Sequence, residues 1–237
     1  MGKKRHRILT CAAAALLLTA CSGGLTARYG QTVLDRVAPE TPAPDGLVYC
    51  TGHGCAERHD LALTPSDWQK IAAHFDPLPR TPAEERRRLA AAAATFETIA
   101  GQYTNSSEDL AGTFAGFGRS GQLDCVDEAV NMTQLARLLT AEGLLHHHTP
   151  DLPVQRGNLL DGWPHYAASL KERSSGRSFI LDGWYRDNGE QALVLPLEIW
   201  RAGIDEPLLA CLHAAEAEDP GGLRSDALAD GPLCDRS

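Results

Sequence analysis

Between Asp124 and Trp184 the apolar pattern changes period once, from helical to alternating, and this switch constrains the fold more than any single motif. Val126, Ala129, Val130, Thr133, Leu135, Ala136, Leu138 and Leu139 recur at helical spacing, and Gly143 stands where a C′ residue ends such a helix. Asp124 is its N-cap. Asp127, three residues on, completes a capping box with Asp in the place of Glu. Downstream, Pro164–Leu170 and Ser178–Trp184 read as two strands around a turn cluster at Glu172–Gly176. Paired positions in an antiparallel hairpin have a constant sum, and a turn centred on Arg173 or Ser174 sets it at about 346 to 348. His165 and Asp182 meet that condition, so they should face each other across the hairpin.

Two helices precede this unit. Thr64 caps a short one that starts at Pro65 and runs to about Phe75, where Pro77 and Pro79 stop it. Thr81, Pro82 and Glu84 open a second, alanine-rich helix through about Tyr103, in which Ala90–Ala94 reads as close helix packing. From Thr104 to Gln122 the chain loses all periodicity and carries Gly112, Gly116, Gly118 and Gly121, so a loop leads directly into Cys125.

The N-terminus decides what the cysteines mean. Lys3, Lys4, Arg5 and Arg7 precede a short apolar run, Ile8–Leu18, which is a secretory signal too short to span a bilayer. Its end, Leu18-Thr19-Ala20-Cys21, resembles the lipobox of bacterial lipoproteins, and the resemblance implies lipidation at Cys21. Ser22 after the cysteine then points to the outer membrane rather than the inner, facing the periplasm. The expected organisation is a signal peptide over 1–20, a flexible Pro- and Gly-containing tether over 21–45, and one domain over 46–237 with its core at about 121–203.

Without the signal, 18 basic residues face 31 acidic ones, a net charge of −13. A surface of that sign does not hold nucleic acid. In an oxidising compartment cysteines tend to pair. Cys50 and Cys55 bracket Thr51-Gly52-His53-Gly54, and Cys211 and Cys234 bracket a Pro- and Gly-rich tail, which makes two disulfides the expectation. His53 and His59 beside the first pair suggest zinc as the alternative, but the compartment favours the disulfide. His146-His147-His148 cannot all face one ion from a helix, so no metal and no cofactor is expected.

Cys125 is then left unpaired. A thiol in the first turn of a helix feels the macrodipole and free N–H groups, which favour the thiolate, while Asp127 and Glu128 oppose it. With His165 as base and Asp182 to orient it, Cys125, His165 and Asp182 follow in the order of a nucleophile triad.

That order, with Gly121-Gln122-Leu123-Asp124-Cys125-Val126-Asp127-Glu128, Pro164-His165-Tyr166 and Leu181-Asp182-Gly183-Trp184, resembles the transglutaminase-like core of papain-like cysteine enzymes. It looks closest to a bacterial group that continues into Trp184-Tyr185-Arg186-Asp187-Asn188-Gly189 and Leu195-Pro196-Leu197-Glu198-Ile199-Trp200. The resemblance implies an α+β fold of helices packed on an antiparallel β-sheet, with thioester chemistry at Cys125. Its expected function is a membrane-tethered cysteine peptidase, amidase or acyl transferase acting on a peptide or protein, with peptidoglycan as one candidate. Backbone N–H groups at the helix start, and Gln122, are the candidate oxyanion donors; Trp163 and Trp184 either line a substrate groove or pack in the core. The alternative is a binding or scaffold lipoprotein that kept the fold without the activity.

Overall fold

The computed structural model describes residues 41–112, 119–157, 164–205 and 207–211. Strands β1 (Leu47–Thr51) and β2 (Glu57–Leu61) form an antiparallel ribbon, followed by helices α1 (Pro65–Ala72), α2 (Pro82–Thr104) and α3 (Cys125–Ala141). A four-stranded antiparallel sheet comes next, in the order β3 (His148–Arg156), β4 (His165–Glu172), β5 (Ser178–Asp182), β6 (Leu193–Pro196), and α4 (Leu197–Arg201) closes the series. The architecture is α+β, as expected. Among the described residues no helix is long and apolar enough to cross a membrane.

Local chemistry explains where the helices begin. Thr64 and Asp67 make a reciprocal capping box at α1, Thr81 accepts the Glu84 N–H at α2, and Asp124 with Asp127 makes a second reciprocal box at α3. Gly143, at φ 71°, follows the end of α3 in the left-handed conformation that suits a residue without a Cβ.

The hairpin register differs from the expected one by two. Ala168 pairs with Leu181 and Lys171 with Ser178, so Asp182 lies opposite Ala167 and diagonal to His165. The reason is the turn: the Glu172 N–H reaches the Arg177 carbonyl at 2.8 Å, which leaves Arg173–Gly176 as the loop and moves its centre toward the C-terminus. Because side chains alternate with period two, a slip of two keeps both residues on one face, and diagonal neighbours remain within reach. A slip of one would have separated them.

Two strands carry no clear alternation in sequence. β2 is polar along most of its length, and β3 contains Pro150 and Pro153, which an edge strand tolerates because one side of its backbone has no partner. The sheet is buried on both faces. Ala168, Leu170 and Leu181 pack with α2, α3 and the β1–β2 ribbon, whereas Ala167, Ile180, Leu193 and Leu195 pack with Trp200 and Leu208.

The three histidines have a backbone role. Glu85 of α2, fully buried, accepts from the N–H groups of His146, His147 and His148 and from His148 Nδ1 at 2.8 Å. Burial raises the Glu85 pKa, but the bonds from His148 and from the backbone of His147 and His146 outweigh it and hold it below the usual value. Arg86 Nη1 lies 3.2 Å from His148 Nε2 and donates to Glu172, closing a network that ties α2 to the start of β3.

Cys50 and Cys55 are joined in a disulfide that closes the loop between β1 and β2. The same loop docks on α3. Asp127 accepts from His53 and Cys55 N–H, and Asn131, one turn on, accepts from Cys50 N–H at 2.7 Å and donates to Cys50 O at 3.0 Å. Asn131→Ala leaves two buried backbone groups unpaired, and urea unfolding of the oxidised chain should read a loss of about 2–4 kcal/mol.

Candidate active site

Two layers of the fold meet at the N-terminus of α3. Cys125 comes from the helix on one face of the sheet, while His165 and Asp182 lie on the face covered by Trp200. They come together where β4 begins: Cys125 Sγ accepts the N–H of Tyr166, the residue next to His165.

The cap determines which helix donors stay free. Asp124 accepts from Val126 N–H at 2.9 Å and Asp127 N–H at 3.0 Å, and its carbonyl takes the Glu128 N–H. Among the first four N–H groups of α3, only that of Cys125 escapes the cap, and it turns back on its own sulfur. It is therefore the one backbone donor among those four that the cap leaves available near Sγ.

Asp182 is held by three donors. His165 Nε2–H donates to Oδ2 at 2.8 Å, Trp200 Nε1–H to the same oxygen at 2.7 Å, and Trp184 N–H to Oδ1 at 3.3 Å. A carboxylate accepting from Nε2 fixes the imidazole tautomer, so the lone pair of a neutral His165 lies on Nδ1. The ring is packed by Trp184, Trp200 and Tyr185, with centroids 4.6, 5.5 and 5.6 Å away. No hydrogen bond joins Sγ to that ring among the described residues.

The charge balance around the sulfur, open in the sequence, comes out against the thiolate. Cys125 is 8% exposed, and burial pushes its thiol up to about 12; the Asp124 and Asp182 carboxylates add to this, and the N–H groups of Tyr166 and Cys125 only partly oppose it. In this state Cys125 is a thiol. Any thiolate has to be made by proton transfer, not stored in a resting ion pair.

The other predicted positions divide clearly. Trp184 is half-buried, its ring tilted at 49° against that of His165, and its carbonyl accepts the Gly112 N–H at 2.8 Å. Gln122 is engaged elsewhere: its Nε2 donates to Glu108 O and its Oε1 accepts from Leu110 N–H, which braces the segment ahead of the site. That bracing turns the Gln122 amide away from the expected oxyanion role. Gly121 is required beside it, with φ at 76° and the Asn105 carbonyl 1.9 Å from where a Cβ would stand. Cys211 is disulfide-bonded. Cys21, Cys234 and Trp163 lie outside the described residues.

Several site residues were not singled out by sequence. Trp200 belonged to a quoted motif, but nothing local marked its indole N–H as the second donor to Asp182. Arg156, opposite His165 in the sheet, donates to Trp200 O and to the Tyr185 hydroxyl and lies 4.8 Å over the Trp200 ring. Glu97, Asp109 and Glu128 form a buried acidic group behind Asp182, and all have raised pKa values, first through burial; Asp187 then adds to Asp109, Asp109 to Glu97, and Glu97 with Asp109 to Glu128. Cys50, Cys55 and Asp127 could by position hold an ion, but the two sulfurs are spent on each other.

No protein-family model, curated protein or solved structure matches the chain.

Asp124→Ser keeps an N-cap oxygen and removes one of the anions acting on Cys125. The thiol pKa should fall, and iodoacetamide alkylation of Cys125 at pH 8 should speed up by about threefold to tenfold relative to the parent chain. An unchanged rate would mean that the Asp124 charge does not reach the sulfur.

Proposed function

We propose that the chain is a thiol enzyme of the transglutaminase-like type, acting on an acyl group through Cys125, His165 and Asp182. The observation that carries this reading is the Asp182 clamp: a buried carboxylate set by Trp200 and Trp184 fixes the His165 tautomer beside an unpaired thiol at a helix start. Each role follows from the chemistry of the group. His165 Nδ1 takes the thiol proton as Cys125 Sγ attacks the carbonyl carbon. Asp182 stabilises the resulting imidazolium, and Cys125 N–H donates to the oxyanion. When the carbon–nitrogen bond breaks, His165 returns the proton to the leaving amine, which leaves a thioester on Cys125. Water or an acceptor amine then releases the acyl group, giving a peptidase or amidase in the first case and an acyl transferase in the second.

The signal and lipobox support a lipid-anchored protein of the bacterial envelope, and a mature charge of −13 supports a peptide or protein substrate over nucleic acid. Tethering near the wall makes peptidoglycan one such substrate.

A second reading rests on the sulfur itself. Cys125 is buried, its pKa is raised, and it makes no hydrogen bond to the His165 ring. Those are the properties of an inert core cysteine in a binding or scaffold lipoprotein.

Acylation by p-nitrophenyl acetate separates the two. The enzyme should release nitrophenol in a burst of one equivalent per chain, with the acyl group on Cys125 by mass spectrometry, and His165→Ala should slow the burst about 100-fold or more. No acylation of Cys125, or a rate indifferent to His165→Ala, favours the scaffold. Incubation with wall fragments, and with casein plus a labelled amine, then assigns hydrolysis or transfer.

A further inference from the structure

Directly behind the Asp182 clamp, two carboxyl groups are buried face to face. Glu97, from the middle of α2, is 3% exposed, and Glu128, one turn along α3 from Cys125, is 5% exposed. Glu97 Oε1 and Glu128 Oε2 are buried without a hydrogen-bond partner among the described residues. Both converge on the α-carbon of Gly183: a Cβ there would lie 2.7 Å from the first oxygen and 2.5 Å from the second. Gly183 follows Asp182 and precedes Trp184, whose N–H holds Asp182 Oδ1. The glycine is what lets the acid pair approach so close to the clamp.

Two ionised carboxylates cannot share such a space, because each is stripped of water and faces the other. Most of the groups around them are acidic. The groups acting on the pair are Asp109 from the segment after α2, Asp127 from α3, Asp182 from β5 and the phenol of Tyr49 from β1, with Arg186 on the turn that Gly183 begins. A protonated carboxyl on one residue can donate to the other, and a side-chain hydrogen bond from Glu128 does act on Glu97. The remaining contacts fix the Glu97 end, since Gly189 N–H donates to its carboxyl and Asn188 Nδ2 to its backbone carbonyl.

We propose that Glu97 and Glu128 are positioning residues that share a proton over Gly183, and that this proton holds α2 against α3 and β5, the two elements that carry Cys125 and Asp182. The positioning role rests on the triad reading above. The shared proton itself rests only on the geometry of the pair.

The consequence is a dependence on pH that neither Cys125 nor His165 supplies. Burial raises both pKa values first; Asp109 adds to the rise of Glu97, to about 8, and Glu97 and Asp109 add to that of Glu128. A carboxyl whose folded pKa exceeds its unfolded one stabilises the fold fully below the unfolded value of 4.5, and that stability is lost as pH rises toward about 8. At alkaline pH a proton leaves for solvent, the two carboxylates repel, and α2 and α3 part beside Gly183.

Three measurements on the full chain test this. Infrared spectra in water and deuterium oxide at pH 8 should show a protonated-carboxyl band that is lost in both Glu97→Gln and Glu128→Gln. Between pH 5 and pH 8 the unfolding equilibrium constant should rise about tenfold more per pH unit in the parent chain than in Glu97→Gln, the equivalent of one proton. Acylation of Cys125 by p-nitrophenyl acetate should decline at alkaline pH in the parent chain by about tenfold more than in Glu97→Gln, which keeps a donor to Glu128, and Glu97→Ala should not rescue it. Absence of the band in the parent chain, which needs no variant to fold, overturns the shared proton. Coincident acylation profiles for the parent and Glu97→Gln, with His165→Ala still slow, overturn the positioning role alone. A rate indifferent to His165→Ala overturns the triad and the positioning role with it, and leaves the band to decide the pair.

Discussion

A buried helix has to hand the polar groups of its first turns to partners inside the protein, and at α3 those partners organise the rest of the structure. Thirteen of its side chains are buried. Asp124 takes the first N–H groups, Asp127 and Asn131 take the backbone of the disulfide loop, and Glu128 meets Glu97 of α2. Each bond satisfies a desolvated group and at the same time fixes a neighbouring element. Cys125 sits at the head of this arrangement, with its sulfur on the Tyr166 N–H of β4.

The same arrangement concentrates negative charge. Asp124, Asp127 and Glu128 come from one helix turn, and Asp182, Asp109 and Glu97 are added by the sheet, the loop and α2. A helix N-terminus tolerates anions, yet the macrodipole is worth only about 0.3–2 kcal/mol there. Burial and the carboxylates outweigh it at Cys125, which is why the thiol is raised and not lowered. At Asp182 the balance is restored by direct donors, the His165 ring and the Trp200 indole. Asp182 is thus held by direct donors, while the buried Cys125 keeps its proton.

Much of this was legible in the sequence where the cause was local. The caps at Thr64, Thr81 and Asp124 need only a side chain and the next turn of backbone, so they read directly. The Cys50–Cys55 loop was legible from the glycines between the two cysteines. The hairpin was legible in the parity of its pairing but not in its register, because the turn residues Arg173–Gly176 allow more than one centre. Strands β2 and β3 were not legible, since an edge strand tolerates charge and proline that a central strand excludes. The histidine run misleads for a related reason: it advertises rings, while the structure uses its backbone for Glu85.

By itself the sequence determined the helix of Cys125, the strands of His165 and Asp182, and the parity that puts those two on one face, because these follow from periodicity and from groups a few residues apart. Tertiary structure alone decided what surrounds them. Trp200 reaches Asp182, Gln122 is turned to the 108–110 segment, and Glu97 meets Glu128 over Gly183. Partners so distant along the chain are selected by packing, which no local pattern encodes. The sign of the shift at Cys125 belongs to the same class, since burial and through-space charge exist only once the layers have closed.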